Sequence, residues 1–402
     1  MRKPIQQSYR QFLSGISKTR ELQELPMYHC GDNTYLWNIA DATDQDFYDL
    51  LQELGISDTA ADIRNFCGNL FCGVPSESGG YLYLYYYPAR REIRMVRCLD
   101  GRLLPGRLGE KEHYTGRKAL TQVCPDDKAS NCGMCYILHL GEGHFIVYDG
   151  FGNNGSDEDV IYRQLLNQTP EGQQPVIDVW VMTHVHWDHI AGIHQFSKKY
   201  KDSVRVLNFV LNVPPFSNFM GRELRTALDF YILWLPELKQ LWADAGFWRV
   251  HTGQRLCVGD AVMDFLYTQE DLYPEYGVIN DTCLVSRVLL GGKRIFFPAD
   301  VSSEYSCTLL HDAWGSELKS DYYQAAHHGW NTAALRFFDD VDPEIVLWPV
   351  RPRDWWRIQK FPATARMVQE MTEQKRPYYL SIDESYTFDL DADIGRKDEN
   401  QI

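Results

Sequence analysis

The segment His184-Val185-His186-Trp187-Asp188-His189 sets three imidazoles and a carboxylate within six residues. Neutral imidazole nitrogen and carboxylate oxygen are the donors that suit zinc, iron or manganese. The segment directly follows Val176 to Thr183, a near-continuous apolar run of the kind buried on both faces of a sheet. A tight loop leaving such a rigid strand can aim alternate side chains the same way. His184 and His186 can then hold one cation, and Asp188 with His189 a second. The plain alternative is a polar loop that happens to be histidine-rich. Five of the twelve histidines fall in two short clusters, which weighs against that alternative.

The second cluster is His327-His328-Gly329, again after an apolar run. Such a pair alone is more often structural than ligating. A third element is Asp300, which ends IFFPAD and precedes Ser302 and Ser303. A carboxylate there reads equally well as a helix cap. Together the three elements are more specific, because each sits just past the C-terminal end of a predicted strand. Layered α/β folds build their sites at that edge.

The elements that position these residues follow from pattern and punctuation. DATDQDFYDLLQEL predicts a capped amphipathic helix with Phe47, Leu50, Leu51 and Leu54 on one side. NLFCGV, YLYLYYYP and EIRMVRCL predict three strands, giving a small α+β unit that ends near Leu99. Residues 101–130, with their Gly, Pro, Lys and Asp, read as a linker. The resulting division is an N-terminal extension with linker over 1–120 and a larger domain over 125–390. In the larger part, CYILHLG and HFIVYDG predict paired strands, and Ser156 with Asp159 a capping box. VRVLNFVL predicts a strand, and residues 217–245 a helical stretch broken at Pro236. TCLVSRVLL and KRIFFPA predict a hairpin, followed by strands in DYYQAA, EIVLWPV and PYYLSI. Strands alternating with helices, plus hairpins, predict a layered α/β fold.

Composition bounds the rest. The 402 residues suffice for one large domain or two ordinary ones, and 44% apolar with 24% charged excludes a wholly disordered chain. Lys plus Arg is 40 against 55 for Asp plus Glu, a formal charge of −15. There is thus no overall draw toward nucleic acid or anionic lipid, and a small molecule is the expected partner. No apolar run reaches the roughly 18 to 20 residues needed to span a bilayer. The richest stretch, Phe230 to Trp242, is broken by Pro236, Glu237 and Lys239. MRKPIQQSYRQF lacks the apolar segment of a secretion signal, so a cytoplasmic location is expected. Ten cysteines are too sparse for a disulfide scaffold and read as reduced and buried. Cys132 and Cys135 form C-x-x-C, with Cys124 upstream, but no second pair stands at zinc-ribbon spacing.

On these residues the chain resembles the metallo-β-lactamase fold superfamily of metallohydrolases. Its H-x-H-x-D-H hallmark is matched by His184, His186, Asp188 and His189, preceded by Thr183 as in many members. Asp149 in FIVYDGF matches the aspartate that buttresses the histidine loop, and Asp300 the bridging carboxylate. His327-His328-Gly329, with Asn280-Asp281-Thr282, looks most like the branch related to the soluble domain of competence (DNA-uptake) proteins. The resemblance covers about residues 130–385 and implies a four-layer αββα sandwich holding one or two divalent ions. Zinc is the first expectation, with manganese and iron as alternatives. One departure stands out. Many members carry a further histidine after the strand matching VMDFLY, where this chain has Thr268, Gln269 and Glu270. His251 precedes that strand instead. That ligand is therefore read as absent, with Glu270 as a remote substitute.

The resemblance implies a hydrolase that uses a metal-bound hydroxide, since metal coordination lowers the pKa of water from about 15.7 toward 7. Either His327 or His328 would bind metal, and the other would serve the substrate or leaving group. Asp188 and that second histidine are the candidates to handle protons. Trp187, Asn280, Trp330, Asn331, Trp348 and Arg351 flank the edge as candidate pocket residues, with Arg351 and Arg353 able to meet an anionic group. Packing is the plain alternative for the aromatics. A phosphodiester or other phosphorylated small molecule is the expected substrate. A lactam, lactone or thioester hydrolase is the nearest rival. An iron-bound redox enzyme and a non-catalytic binding protein stand further off.

Overall fold

The computed structural model describes residues 26–56, 63–76, 79–126, 133–221, 223–273, 278–330, 333–382 and 384–392. The polar lead-in, Cys132 and Asn331 lie outside the described residues. The chain divides into two compact units, Met1–Leu103 and Leu104–Ile402.

The first unit comprises β1 (Met27–Gly31), β2 (Thr34–Ile39), α1 (Asp44–Glu53), β3 (Arg64–Phe66), β4 (Asn69–Pro75), β5 (Tyr81–Tyr87) and β6 (Glu92–Cys98). Its strands form an antiparallel sheet in the order β1-β2-β6-β5-β4-β3. Helix α1 starts where Thr43 and Asp46 cap each other reciprocally: the Thr43 hydroxyl accepts from the Asp46 N–H, and the Asp46 carboxylate accepts from the Thr43 N–H. Its apolar face, Phe47, Leu50 and Leu51, packs on Trp37, Leu84 and Met95.

The second unit opens with β7 (Arg107–Leu108), β8 (Ala119–Gln122), β9 (Tyr136–Gly141), β10 (His144–Tyr148), α2 (Asp157–Asn167), β11 (Val176–Val181) and α3 (Trp187–Tyr200). Then come β12 (Arg205–Val206), β13 (Asn208–Leu211), α4 (Glu223–Leu228), a π-helical turn (Asp229–Trp234), α5 (Leu235–Leu241), β14 (Gly246–Arg249), β15 (Arg255–Val258) and β16 (Ala261–Tyr267). The remainder is β17 (Val285–Leu290), β18 (Lys293–Phe297), α6 (Glu304–Trp314), β19 (Tyr322–Gln324), α7 (Ala333–Val341), β20 (Ile345–Trp348), α8 (Pro352–Ile358), α9 (Pro362–Glu373), β21 (Tyr378–Leu380) and β22 (Tyr386–Asp389).

Two mixed sheets result. One runs β14-β13-β11-β10-β9-β8-β22, with β12 also on β11; the other runs β21-β20-β19-β18-β17-β16-β15-β7. They face each other through Tyr148, whose ring stacks on Phe297 at 4.1 Å and whose hydroxyl meets Ser286 Oγ at 2.7 Å. On the first sheet's outer face, Ile161 and Leu165 of α2 and Ile190, Ile193 and Phe196 of α3 share a core with Phe145, Ile177 and Trp180. Helix α6 backs the second sheet, where Trp314 Nε1 donates to Leu266 O at 2.6 Å. This is an αββα sandwich, the layered α/β class expected from the strand–helix pattern.

Strand β11 shows why its run is so apolar. All six residues are buried, and its one charge, Asp178, receives the Tyr114 hydroxyl at 2.7 Å and His144 Nδ1 at 2.8 Å. Strands β10, β11 and β13 run parallel, as do β18, β19 and β20, so their C-terminal ends gather at one edge of the sandwich.

Several expectations need correction. Residues 101–130 do not form a simple linker, because β7 and β8 within them pair into the two sheets. Such short strands leave no periodic signal amid Gly, Pro and Lys. Ser156 precedes α2 but makes no side-chain cap. Asp159 instead accepts from the Tyr200 hydroxyl at 2.6 Å, tying α2 to α3. VRVLNFVL divides into β12 and β13. The stretch around Pro236 widens into the π-turn because proline lacks the N–H that would continue the α-helical ladder. Nine described cysteines are free thiols, seven of them buried. Among the described residues, no helix is long and apolar enough to cross a membrane.

Candidate metal centre

The parallel strand ends deliver the chemistry to one place. Asp149 follows β10, Thr183 and His184 follow β11, Asp300 follows β18, and His327 and His328 follow β19. The two sheets are stitched here by the Leu284 N–H, which donates to Thr183 O at 2.8 Å. Helix α3 begins at Trp187, so Asp188 and His189 lie in its first turn. A carboxylate suits that position because the helix dipole is positive there.

Backbone strain concentrates at this edge. Asp149, Phe151, Ala299, His327 and His328 all have φ between 47° and 64°, five of twelve non-glycine residues with positive φ among those described. Each such conformation costs on the order of 1–3 kcal/mol and persists only where the surroundings impose it. One close approach adds to the constraint. A Cβ on Gly133 would stand 1.7 Å from Asp188 O, so only glycine lets that segment pass the start of α3.

Two groupings have ligand atoms mutually within 4.8 Å: His184, His189 and Asp300, and Asp188, His189 and His328. Asp300 Oδ2 lies 3.3 Å from His189 Nε2, 3.3 Å from His328 Nε2 and 3.9 Å from His184 Nε2. His328 Nε2 is 3.8 Å from Asp188 Oδ2. His189 Nε2, His328 Nε2 and Asp300 Oδ1 are buried without a hydrogen-bond partner. The 3.3 Å approaches are thus ion-pair contacts rather than aligned hydrogen bonds. A cluster of orphaned buried donors of this N/O chemistry fits a divalent cation.

The opposite ring nitrogens are held from behind, which fixes the tautomers. His189 Nδ1 donates to Asp149 Oδ2 at 2.7 Å, and His328 Nδ1 to Pro349 O at 2.7 Å. The Thr183 hydroxyl gives its one proton to Asp149 Oδ2 at 2.6 Å and so must accept from His184 Nδ1 at 3.1 Å. Each Nε2 then turns a lone pair inward. Thr183→Val should keep the fold but weaken metal affinity by about 10- to 100-fold, the usual cost of such a supporting contact. Isothermal zinc titration of the two proteins checks this, and an unchanged affinity would contradict it.

Electrostatics match the arrangement. Burial alone would lower the His189 pKa, but the Asp300 and Asp149 carboxylates outweigh it and hold it well above the usual range. His328 is raised against burial by Asp300. Burial would raise Asp300, yet His328 and His189 hold it well below the ordinary carboxylate range. Burial likewise opposes ionisation of Asp188, which His189 and His328 keep low. Burial lowers His184, His186 and His327. A divalent ion bound among these groups would balance the carboxylates and displace any proton from the inward-facing nitrogens.

The expected residues distribute as follows. His186 joins neither grouping, but its Nδ1 is 3.1 Å from His184 Nε2, so it borders the first. His328, not His327, faces Asp300 and Asp188. His327 Nε2 instead meets Asn280 Nδ2 at 3.0 Å, and its Nδ1 is buried without a partner. Trp187 is half-buried with its Nε1 donating to Asn153 Oδ1 at 2.7 Å. Trp330 is half-buried and packs edge-on against Phe361. Arg351 is engaged by Asp354 at the start of α8, and Trp348 is fully buried, with its ring against Trp355 and Tyr378. His251 Nδ1 meets Glu270 Oε2 at 2.7 Å, and neither residue joins a ligand grouping.

Three participants escaped the sequence reading. Pro349 contributes only a carbonyl, which no residue type signals. Asn153 acts across 34 positions on Trp187. Cys283, adjacent to the Asn280-Asp281-Thr282 run, accepts from the Asp300 N–H at 3.3 Å and was findable only from that adjacency.

Residues 133–215 match the family model of the metallo-beta-lactamase superfamily. No curated protein sequence matches the chain. Among solved structures, the metallo-beta-lactamase fold protein YhfI from Bacillus subtilis is 14% identical, with a TM-score of 0.41, covering 67% of this chain and 100% of its own. The diiron β-hydroxylase CmlA from Streptomyces venezuelae is 13% identical, with a TM-score of 0.41, covering 68% of this chain; the match spans only 54% of CmlA. Residues 133–215, which carry the histidine loop and Asp149, are thus similar to the metallo-beta-lactamase superfamily model, and they lie within an α/β sandwich.

Proposed function

We propose that this chain is a metal-dependent hydrolase of a phosphodiester or other phosphorylated small molecule. The observation that carries the metal-dependent reading is the convergence of His184, His189, His328, Asp188 and Asp300, with the orphaned Nε2 atoms of His189 and His328 each 3.3 Å from Asp300 Oδ2. The preference for phosphorylated substrates rests on the His327-His328-Gly329 resemblance to the competence-type branch, and the lack of a histidine after VMDFLY counts against the lactam rival.

His184, His189, His328, Asp188 and Asp300 would hold the cation or cations, with His186 beside them. A bound cation supplies Lewis acidity, acidifying water and polarising the scissile bond. The remaining work belongs to the chain. Asp188, held as an anion, accepts a proton. Asn280 Nδ2 donates to His327 Nε2 and so places the imidazole proton on Nδ1. That unpartnered N–H is the donor for an anionic oxygen or leaving group. Trp187 is half-buried beside Asp188, with its indole N–H held by Asn153.

The two adjacent histidines therefore separate by role. His327→Ala should lower kcat by about 10²- to 10³-fold, the range for a hydrogen-bond donor aimed at developing negative charge, with metal content unchanged. His328→Ala should lose metal. Metal analysis with turnover of bis-p-nitrophenyl phosphate, a chromogenic ester and a lactam tests both the roles and the class. Metal loss in His327→Ala with retention in His328→Ala would reverse the assignment. Turnover of the lactam or ester alone would move the substrate class.

A further inference from the structure

The peptide bond that precedes Asp300 is gripped from both sides. On one side the Asp300 N–H donates to Cys283 Sγ at 3.3 Å. On the other, Ala299 O accepts twice, from the His327 N–H at 3.0 Å and from Gln324 Nε2 at 3.1 Å. The second hydrogen of the same amide goes to Ala325 O at 2.7 Å. Gln324 thus joins the loop after β18, which carries Asp300, to the loop after β19, which carries His327 and His328. The two strands are parallel neighbours.

Gln324 is fully buried. Both partners of its nitrogen are carbonyl oxygens, which fixes the amide, because the reversed amide would set oxygen against oxygen. That orientation leaves Oε1 buried with no hydrogen-bond partner among the described residues. An unsatisfied buried acceptor works against folding, so the contribution of this side chain lies in its two donors. What those donors hold is strained. Ala299, His327 and His328 stand at φ 51°, 47° and 54°. Residues other than glycine stay in that region only where their surroundings impose it. Asp300 directly follows the first of the three, and its Oδ2 lies 3.3 Å from His328 Nε2.

We propose that Gln324 is a positioning residue of the metal centre, whose amide locks the Asp300 and His328 loops together so that carboxylate and imidazole stand ready for one cation before it arrives. The inference rests on the metal-dependent reading and is independent of the substrate class. Without the amide, Ala299 O loses a donor and the Asp300 peptide can leave its left-handed setting. Part of the binding free energy is then consumed in re-forming the site, and affinity falls.

The test compares the full-length parent with Gln324→Met, which keeps length and volume but removes both donors. Zinc affinity is read by competition with a chromogenic chelator, and the metal-free proteins are followed by hydrogen exchange with mass spectrometry. Gln324→Met should bind zinc about 10- to 100-fold more weakly, the usual cost of losing a contact behind a ligand. In its metal-free form the segments around Asp300 and His327 should exchange faster than in the parent, with exchange across β10 and β11 unchanged. A melting temperature that falls while the folded protein keeps parental zinc affinity would overturn the inference and leave Gln324 an ordinary core contact. Unchanged exchange at both loops would do the same. Cys283→Ala is the second variant, and it stands in if Gln324→Met folds poorly. It frees the other side of the same peptide and should weaken zinc binding about 3- to 10-fold, the worth of one hydrogen bond. Cys283→Ser, which keeps an acceptor, should recover most of that loss. Parental affinity in Cys283→Ala would count against the inference, because the setting of the peptide would then not govern the site. A parent that binds no zinc would sink the metal-dependent reading and the inference with it, whereas equal binding by parent and Gln324→Met would sink the inference alone.

Discussion

Asp300→Asn should cost more function than any other single change in this chain. The carboxylate is the common partner of His184, His189 and His328, at 3.9, 3.3 and 3.3 Å. It is 2% exposed, so no water can substitute for it. An amide of the same shape keeps the volume but removes the anion and turns an N–H₂ toward inward-facing lone pairs. Breaking one member of a buried charge cluster typically costs about 3–5 kcal/mol, which corresponds to roughly 10²- to 10⁴-fold in metal affinity. Plasma-emission analysis after dialysis should find the variant depleted of metal, with turnover falling in parallel. Its thermal stability without metal should fall as well, because His189 and His328 lose the carboxylate that faces them at 3.3 Å. A variant that retains both metal and activity would show that Asp300 is a helix-start residue and nothing more.

The largest stability effect is expected away from the ligands, at His251. This side chain and Glu270 are both fully buried and 2.7 Å apart, with Arg249 Nε 3.2 Å from the carboxylate. Burial would raise the Glu270 pKa, but His251 and Arg249 outweigh it and hold it at about 2, against an ordinary value of 4.5. A depressed carboxylate stabilises the fold fully above its unfolded pKa. That contribution is lost as pH falls from about 4.5 toward 2. His251→Ala removes the Nδ1 partner of the buried carboxylate, leaving it to Arg249, and should cost about 3 kcal/mol at neutral pH. The acid limb of the stability profile should also move to higher pH. Metal content per folded molecule, and turnover of bis-p-nitrophenyl phosphate at permissive temperature, should stay at parental levels. Denaturant melts from pH 3 to 8 with parallel metal analysis check both halves. Loss of metal at full stability would make His251 a ligand after all.

Much of the centre was readable because its residue types have few other uses. Three imidazoles and a carboxylate in six positions, directly after an apolar strand, have little reason to occur together except to hold a cation. Asp300 was legible for a similar reason, as a lone carboxylate closing the run IFFPAD. The choice between His327 and His328 was not legible. Alternation along a strand says only that neighbours diverge, and both residues adopt left-handed backbone, φ 47° and 54°, where strand alternation no longer applies. Arg351 looked free in sequence because its partner Asp354 lies one helical turn away, and only the start of α8 brings them together. The same limit hid β7 and β8. Two- and four-residue strands owe their existence to long-range pairing with β15, β9 and β22 rather than to local pattern. The Ser156 box failed because tertiary partners for Asp159 won over a local cap.

Anomalous diffraction at the zinc edge, on crystals of the metal-loaded protein, tests the central claim most directly. The account predicts a peak about 2.0–2.2 Å from His189 Nε2, from His328 Nε2 or His184 Nε2, and from an Asp300 oxygen. A fully loaded protein whose only peak lies elsewhere, for example at His144 and Asp178, would contradict it.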